Sequence, residues 1–159
     1  MIFVSVGTQK FPMDRLLKML DEMAAAGEIT DEIFAQSGYC TYTPEHYPVR
    51  PFLPPEEFAA RMADSDLVIA HGGVSVIVAA LNMHKPVIVF PRLAAYGEHV
   101  DDHQLEIAQA LAEKDHVLTV TDRAELTTAL RQVGSHTFAP YISGRSAVVS
   151  RIEEFIDSI

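Results

Sequence analysis

Three features are scarce in this chain of 159 residues, and each shortage excludes a class of protein. Cys40 is the only cysteine, which rules out an internal disulfide and fits a reducing compartment. The 12 lysines and arginines form no cluster and are outnumbered by 22 acidic residues, so nucleic acid is not expected as a partner. No apolar run approaches the roughly 20 residues of a membrane-spanning helix, and no signal peptide is recognisable. We therefore expect a cytoplasmic protein that reaches a membrane only through a partner.

Hydrophobic residues make up 48% of the chain, enough for one globular domain with a core. Short β-branched runs alternate with segments of helical periodicity, which predicts a doubly wound, Rossmann-like α/β fold with about five or six parallel strands. Strands are predicted at residues 2–6, 32–36, 66–70, 87–90 and 116–120, with a short additional strand within 47–52. Helices are predicted at residues 12–26, 54–63, 74–83, 102–114 and 122–133. Residues 1–133 then form the domain, 134–144 a linker, and 145–159 a final amphipathic helix.

Two glycine-containing turns are predicted to lie together at one edge of this sheet. Residues 7–9 follow the first strand, and residues 71–73 follow the strand at 66–70. Gly72 and Gly73 allow a ligand to approach the backbone, and the helix that begins there presents amide groups and a dipole that favour an anion. Ligands of open parallel sheets bind beyond the carboxyl ends of the strands. The turn at 71–73 and the polar loop at 91–101 both lie there and predict a phosphate-bearing ligand between them, and the turn at 7–9 faces the same edge. The candidate nucleotide-binding residues are Gly7, Thr8, Gln9, His71, Gly72, Gly73, Val74, Ser75 and Arg92.

Two of these side chains have alternative interpretations. His71 could contact the ligand or serve as a structural hydrogen-bonding group at the strand end. Arg92, at the end of the following strand, could pair with a diphosphate or form a surface salt bridge. The chain contains no GxGxxG, GxxxxGK[ST] or GxSxG motif and no acidic pair after the first strand. A dinucleotide cofactor, nucleoside-triphosphate hydrolysis, a serine-hydrolase mechanism and a phosphorelay receiver are therefore not expected.

The polar loop before the fourth predicted helix is denser in ionisable and amide groups than any other segment. Glu98 and His99 are the candidate catalytic residues. Metal binding by His99 and His103 with Asp102 is one interpretation, but a helix that begins near Asp102 leaves His99 outside it, so no metal is expected. A solvated helix cap is the second interpretation. The third is recognition of a sugar by Asp102, His103 and Gln104, because the Gln104 amide can bind vicinal hydroxyls.

Seven short motifs carry a family resemblance over roughly residues 1–133. They are VSVGTQ (4–9), FP (11–12), DRLL (14–17), HGG (71–73), KPVIV (85–89), PR (91–92) and YGEHVDDHQLEIA (96–108), of which the last is specific. Together they resemble the stand-alone C-terminal halves of GT-B glycosyltransferases. The chain looks like the PssE-type exopolysaccharide subunits and the catalytic subunit of the dolichol-pathway UDP-GlcNAc transferase, and is more distantly similar to the MurG C-terminal domain.

This resemblance implies a hexosyltransferase subunit that moves a sugar from a UDP-sugar to a lipid-linked acceptor in polysaccharide or glycan biosynthesis. The two glycine turns would bind UDP, and Asp102, His103 and Gln104 would meet the sugar. No cofactor or metal is implied, because the helix terminus and nearby donors stabilise the leaving diphosphate. A separate partner chain would carry the acceptor site and the membrane anchor, and the helix at 145–159 would dock it. The protein would then lie at the inner membrane face, or form a homodimer through the same surface when isolated.

The sequence departs from the family pattern at three positions. Relatives usually have a Gly-Val-Gly turn followed by Ser or Thr, whereas this chain has Ser75 and Val76 at the last two positions. Ala79 replaces an acid that grips the ribose in many GT-B donor domains. These differences support a second hypothesis, a catalytically degenerate nucleotide-sugar-binding or scaffolding subunit. A sugar-nucleotide epimerase fragment is disfavoured, because one domain cannot close a cleft over its substrate.

Overall fold

The structure is a computed structural model that describes residues 1–141 of the chain. These residues form one sheet and five α-helices. The strands are β1 (Ile2–Ser5), β2 (Ile33–Gln36), β3 (Val49–Arg50), β4 (Leu67–Ala70), β5 (Val87–Val89) and β6 (Leu118–Thr119). The helices are α1 (Asp14–Ala25), α2 (Pro55–Asp64), α3 (Val74–Asn82), α4 (His103–Glu113) and α5 (Arg123–Gln132). Every strand and helix predicted within this range is present, with bounds that differ from the prediction by no more than about two residues.

The strands form a single parallel sheet of six in the order β3-β2-β1-β4-β5-β6. β1 pairs with β2 on one side and with β4 on the other, so Ser5 lies between Gln36 and Ala70. The connections wind outward in opposite directions from β1, which makes the crevice between β1 and β4 the topological switch point. This order confirms the predicted doubly wound, Rossmann-like fold. It also places the turns after β1 and β4 next to each other.

Both faces of the sheet are covered, as expected for parallel strands with continuous apolar sequences. All four residues of β1, β2 and β4 are buried. On one face, Leu20 of α1 and Leu126 of α5 join the core, and on the other face Ile77 of α3 and Leu111 of α4 do so. Fully burying one such side chain stabilises the fold by about 1.5–3 kcal/mol. The two helical layers therefore hold the carboxyl ends of the strands in fixed positions.

Capping contacts determine how the helices near this edge begin. Asp122 precedes α5, and its side chain accepts a hydrogen bond from the Glu125 amide at 2.8 Å, as the capping-box pattern predicts. Before α4, Asp101 accepts a hydrogen bond from the His103 amide at 3.0 Å. The Asp102 carboxylate instead accepts from the Ala94 amide at 2.9 Å and so ties the preceding loop together. Asp101, rather than the adjacent Asp102, is therefore the residue whose side chain bonds to the start of α4.

Residues 134–141, the first part of the predicted linker, lie against the domain. The Ala139 amide donates to the Asp115 carbonyl at 2.9 Å, and His116 Nδ1 is 3.2 Å from the Ala139 carbonyl. The rest of the linker and the predicted helix at 145–159 lie outside the described residues. Within residues 1–141, no helix has the length and apolar character needed to cross a membrane.

Candidate functional site

A cleft of about 480 Å³ opens at the carboxyl edge of the sheet, at the switch point between β1 and β4. Its volume falls within the range of small-molecule sites, roughly 300–1,000 Å³. The turn after β1 and the first turn of α3 form two walls, and the end of β2 with the start of α2 forms a third. The residues that line the cleft are Gly7, Thr8, Gln9, Gln36, Leu53, Pro55, Phe58, His71, Gly73, Ser75 and Val76. The structure thus brings together the two turns that the sequence predicts to meet.

The imidazole of His71 fills the space between these two turns. A Cβ atom on Gly7 would lie 2.5 Å from His71 Nε2, and one on Gly73 would lie 2.2 Å from His71 Cε1, so both positions require glycine. The Gly73 amide donates a hydrogen bond to His71 Nδ1 at 3.1 Å, which assigns the ring proton to Nε2. Burial and the nearby positive charge of Arg92 lower the pKa of His71 to about 4. His71 is therefore a neutral spacer at physiological pH, and it also lines the cleft.

Two amide groups of the glycine turn already have acceptors. The Gly73 amide donates to His71 Nδ1, and the Gly72 amide donates to Gln104 Oε1 at 3.2 Å. Gln104 is only 5% exposed, and a Cβ atom added to Gly72 would lie 2.4 Å from the Cβ of Gln104. The amide groups of the first turn of α3 have no intrahelical acceptor, because the helix begins there. An anion would therefore bind to the amides of Val74, Ser75 and Val76 rather than to those of the two glycines.

Arg92 is buried beneath the cleft and does not line it. Its side chain is 1% exposed, and burial lowers the pKa of the guanidinium. One terminal nitrogen donates to the Val6 carbonyl; the other donates to the carbonyls of Phe11 and, at 3.1 Å, Glu98. The Arg92 amide donates to Gln104 Oε1 at 3.2 Å. The guanidinium is thus engaged with backbone carbonyls, and its contact with a diphosphate remains a prediction.

Glu98, a candidate catalytic residue, lies in a buried ion pair. Its carboxylate is 2% exposed and accepts hydrogen bonds from Arg15 Nε at 3.1 Å, from the same guanidinium at 3.0 Å, and from the Leu93 amide at 3.1 Å. The Arg15 guanidinium lies 4.5 Å from the ring centre of Phe90 and 4.2 Å from that of Tyr96. A bidentate pair of this kind holds the loop before α4 against α1. In this arrangement the Glu98 carboxylate is not free to accept a proton from a substrate.

Asp101 lies between the two histidines of the same loop. Its carboxylate is 3.1 Å from His99 Nδ1 and 3.2 Å from His103 Nε2, and His103 Nδ1 lies 3.3 Å from Glu106. Asp102 is exposed. None of these residues lines the cleft, so the catalytic role of His99 and the sugar contacts of Asp102 and His103 remain predictions. In the part of the chain that the structure describes, no three histidine, cysteine or carboxylate side chains are grouped so that they could hold a metal ion.

Four residues of the third wall were missed by the sequence analysis: Gln36, Leu53, Pro55 and Phe58. Gln36 ends β2, and its Oε1 accepts a hydrogen bond from the Leu53 amide at 3.0 Å. Ligands of parallel sheets bind beyond the carboxyl ends of the strands, which we call the sheet-edge rule. Because Gln36 ends a predicted strand, this rule could have identified it. Leu53 and Phe58 come from the approach to α2 and from α2 itself, and no local pattern marks them as ligand contacts.

The sequence of the chain matches one protein-family model over nearly its whole length. Residues 1–158 match the glycosyltransferase family 28 C-terminal domain. The chain belongs to this family. It is also 30% identical over 102 residues to the UDP-N-acetylglucosamine transferase subunit ALG13 of Yarrowia lipolytica, a match that covers 62% of this chain and 50% of the relative. The chain therefore spans about half the length of that curated relative.

Solved structures of this architecture superpose on almost the whole chain. The NMR structure of ALG13 has a TM-score of 0.62 at 17% identity, with 95% of this chain and 93% of ALG13 covered. The UDP-GlcNAc 2-epimerase of Methanocaldococcus jannaschii, solved with UDP-GlcNAc and UDP, also has a TM-score of 0.62, at 13% identity, covering 99% of this chain and 45% of the epimerase. The kitacinnamycin glycosyltransferase has a TM-score of 0.61 at 17% identity, and the match covers 96% of this chain and 37% of the glycosyltransferase. These likenesses confirm the predicted fold as one half of a GT-B architecture.

Proposed function

We propose that this family 28 domain binds a UDP-sugar in the cleft and transfers the sugar to a lipid-linked acceptor in polysaccharide or glycan biosynthesis. The observation that carries the proposal is the convergence of the residue 7–9 turn and the first turn of α3 at the switch point, around a cleft of about 480 Å³. The family match and the printed function of ALG13 support a glycosyltransferase reaction with a UDP-sugar.

The diphosphate is proposed to bind at the N-terminus of α3. The free amides of Val74, Ser75 and Val76 point out of the helix, and the helix dipole adds a partial positive charge there. On the opposite wall, Thr8 and Gln9 are exposed and offer a hydroxyl and an amide group. As the glycosidic bond breaks, these donors stabilise the negative charge that develops on the leaving UDP, so the proposal needs no metal.

The sugar is proposed to extend toward Asp102 and the first two residues of α4, His103 and Gln104. Gln104 supports this role through its amide nitrogen only, because its oxygen bonds to Gly72 and Arg92. We assign no proton transfer to Glu98, whose carboxylate is paired with Arg15. His99, with a side chain that is 17% exposed, is the proposed catalytic group of the loop.

The acceptor-binding half is proposed to come from a membrane-anchored partner, which would place the complex at the cytoplasmic face of the membrane. This part rests on the ALG13 relative, which is named as a subunit, and on the apolar stripe of residues 145–159 in the sequence. In the absence of the partner, we propose that the same surface could pair two copies of the chain.

A second function is favoured by one feature of the cleft. Val76, Leu53 and Phe58 contribute apolar surface to it, and Val76 stands where relatives have a hydroxyl. This composition supports a degenerate subunit that binds or scaffolds without donor chemistry. The scaffolding form of such a subunit, which has no donor affinity, would not bind UDP measurably.

Calorimetric titration with UDP separates the two functions. The natural chain is expected to bind, and Thr8→Ala to bind about 10- to 150-fold more weakly, because a hydrogen bond to a charged group contributes about 1.5–3 kcal/mol. Thr8→Ser, which keeps the hydroxyl, and Thr43→Ala, an exposed threonine outside the cleft, are the matched controls and should retain affinity. No binding at millimolar UDP, even with the partner present, would reject the transferase proposal.

A further inference from the structure

We propose that Arg92 is a positioning residue that sets the width of the donor cleft without touching the donor. This inference rests on the proposed function. Arg92 does not line the cleft, and its side chain is 1% exposed. Its effect on a ligand must therefore pass through the groups to which it bonds.

The Arg92 side chain fixes both ends of the turn that forms one wall. Its guanidinium donates to the carbonyl of Val6, just before Gly7, and to the carbonyl of Phe11, just after Lys10. The residues between these carbonyls, 7–10, include Thr8 and Gln9 of the cleft wall. Because a guanidinium is planar and rigid, bonds from one such group to both ends fix the span of the turn.

The Arg92 backbone is connected to the opposite wall. Its amide and that of Gly72 both donate to Gln104 Oε1, each at 3.2 Å. Gly72 belongs to the turn that leads into α3, so Arg92 is bonded directly to one wall of the cleft and, through Gln104, to the turn that begins the other. The His71 ring fills the space between the walls, in contact with Gly7 and Gly73. Arg92 holds the walls together while His71 keeps them apart.

Two further observations fit this role. The Glu98 carbonyl accepts from the Arg92 guanidinium at 3.1 Å, and the Glu98 carboxylate is held in turn by Arg15 of α1. The position of the guanidinium is thus fixed from a third side. Arg92 Nε is also buried without a hydrogen-bond partner in the described part of the chain. Burying a cation with an unsatisfied donor is costly, so packing alone does not account for an arginine at this position.

The test compares Arg92→Met with Arg92→Lys, which keeps the charge and loses the planar fork. Backbone ¹⁵N relaxation, measured without nucleotide, reports whether residues 7–10 are rigid. We expect their order parameters to fall from about 0.85 to below about 0.6 in Arg92→Met, and less in Arg92→Lys. We expect UDP affinity, measured by calorimetry, to fall at least about tenfold in Arg92→Met and by a smaller factor in Arg92→Lys.

Leu126→Ala is the matched control, because Leu126 is fully buried in the core cluster on the α1 side of the sheet and does not line the cleft. It should lower the melting temperature yet leave residues 7–10 rigid and UDP affinity within about twofold of the natural chain. If Arg92→Met does not fold, the relaxation and affinity measurements on Arg92→Lys decide whether Arg92 positions the turn. Retained rigidity together with unchanged UDP affinity in the folded Arg92 variants would overturn the inference. If the natural chain itself does not bind UDP, the proposed function fails, and the relaxation data still decide whether Arg92 orders the turn.

Discussion

Protonation of His71 should destabilise the folded protein in a defined pH range. The pKa of His71 is lowered from 6.5 to about 4 by burial and by the charge of Arg92. The folded state therefore disfavours the protonated ring. The contribution of the neutral His71 ring to the free energy of unfolding is fully present above pH 6.5, decreases as the pH falls, and is lost below pH 4. At about 1.4 kcal/mol per pKa unit, the full loss is about 3 kcal/mol, of which about 2 kcal/mol is lost by pH 5.

The variant His71→Asn isolates this contribution from those of the other titrating groups. Its side-chain oxygen can accept the Gly73 hydrogen bond that His71 Nδ1 accepts, and it does not titrate. The free energy of unfolding is measured at pH 7 and pH 5 by urea denaturation, followed by far-UV circular dichroism. We expect the natural chain to lose about 2 kcal/mol more than His71→Asn between these pH values. An equal loss in both proteins would show that the folded His71 ring is not held neutral.

Two further predictions concern contacts near the cleft. Gly73→Ala should lower the free energy of unfolding by about 1–3 kcal/mol and weaken UDP binding, because its Cβ would lie 2.2 Å from the His71 ring. The control Gly134→Ala, where a Cβ meets open space, should stay within about 0.5 kcal/mol; equal effects would refute the steric argument. In a double-mutant cycle, Arg15→Met and Glu98→Gln should couple by about 1–3 kcal/mol in urea denaturation. Coupling near zero would show that Glu98 is not held by Arg15 and would restore it as a catalytic candidate.

The fold could be predicted because its signals are local. The apolar run of β4, followed by Gly72 and Gly73 and then by the helical periodicity of α3, predicts a strand, a turn and a helix without reference to distant residues. The parallel arrangement then follows from the alternation of strands and helices. The sheet-edge rule adds that the turns after β1 and β4 meet, which the structure shows they do. The same rule could also have identified Gln36 at the end of β2, whereas no pattern indicated that Leu53 and Phe58 line the cleft.

The roles of individual polar side chains could not be predicted in the same way. The position of Arg92 at a strand end indicates the sheet edge at which it lies, but not whether its side chain points to solvent or to the interior. Its contact with Val6 spans 86 positions, and the contact of Glu98 with Arg15 spans 83. Such partners are selected by the folded arrangement, and the sequence offers no periodicity that reveals them. Glu98 and Arg92 were predicted as a catalytic and a ligand-binding group, and those roles stay predictions; the structure shows their side chains bonded to Arg15 and to backbone carbonyls, respectively.

An acidic chain that binds an anion needs a local source of positive potential. The net charge is −10, but charges more than about 8 Å from a ligand are largely screened at physiological ionic strength. The amides of the first turn of α3 act at contact distance and belong to the backbone. The family resemblance marks Ser75 and Val76 as departures from the usual glycine-turn pattern, yet a change of side chain leaves these backbone amides in place. If the cleft binds UDP as proposed, we expect the departures from the family pattern to weaken ribose recognition more than diphosphate binding, which would support the proposed transferase over a subunit without donor affinity.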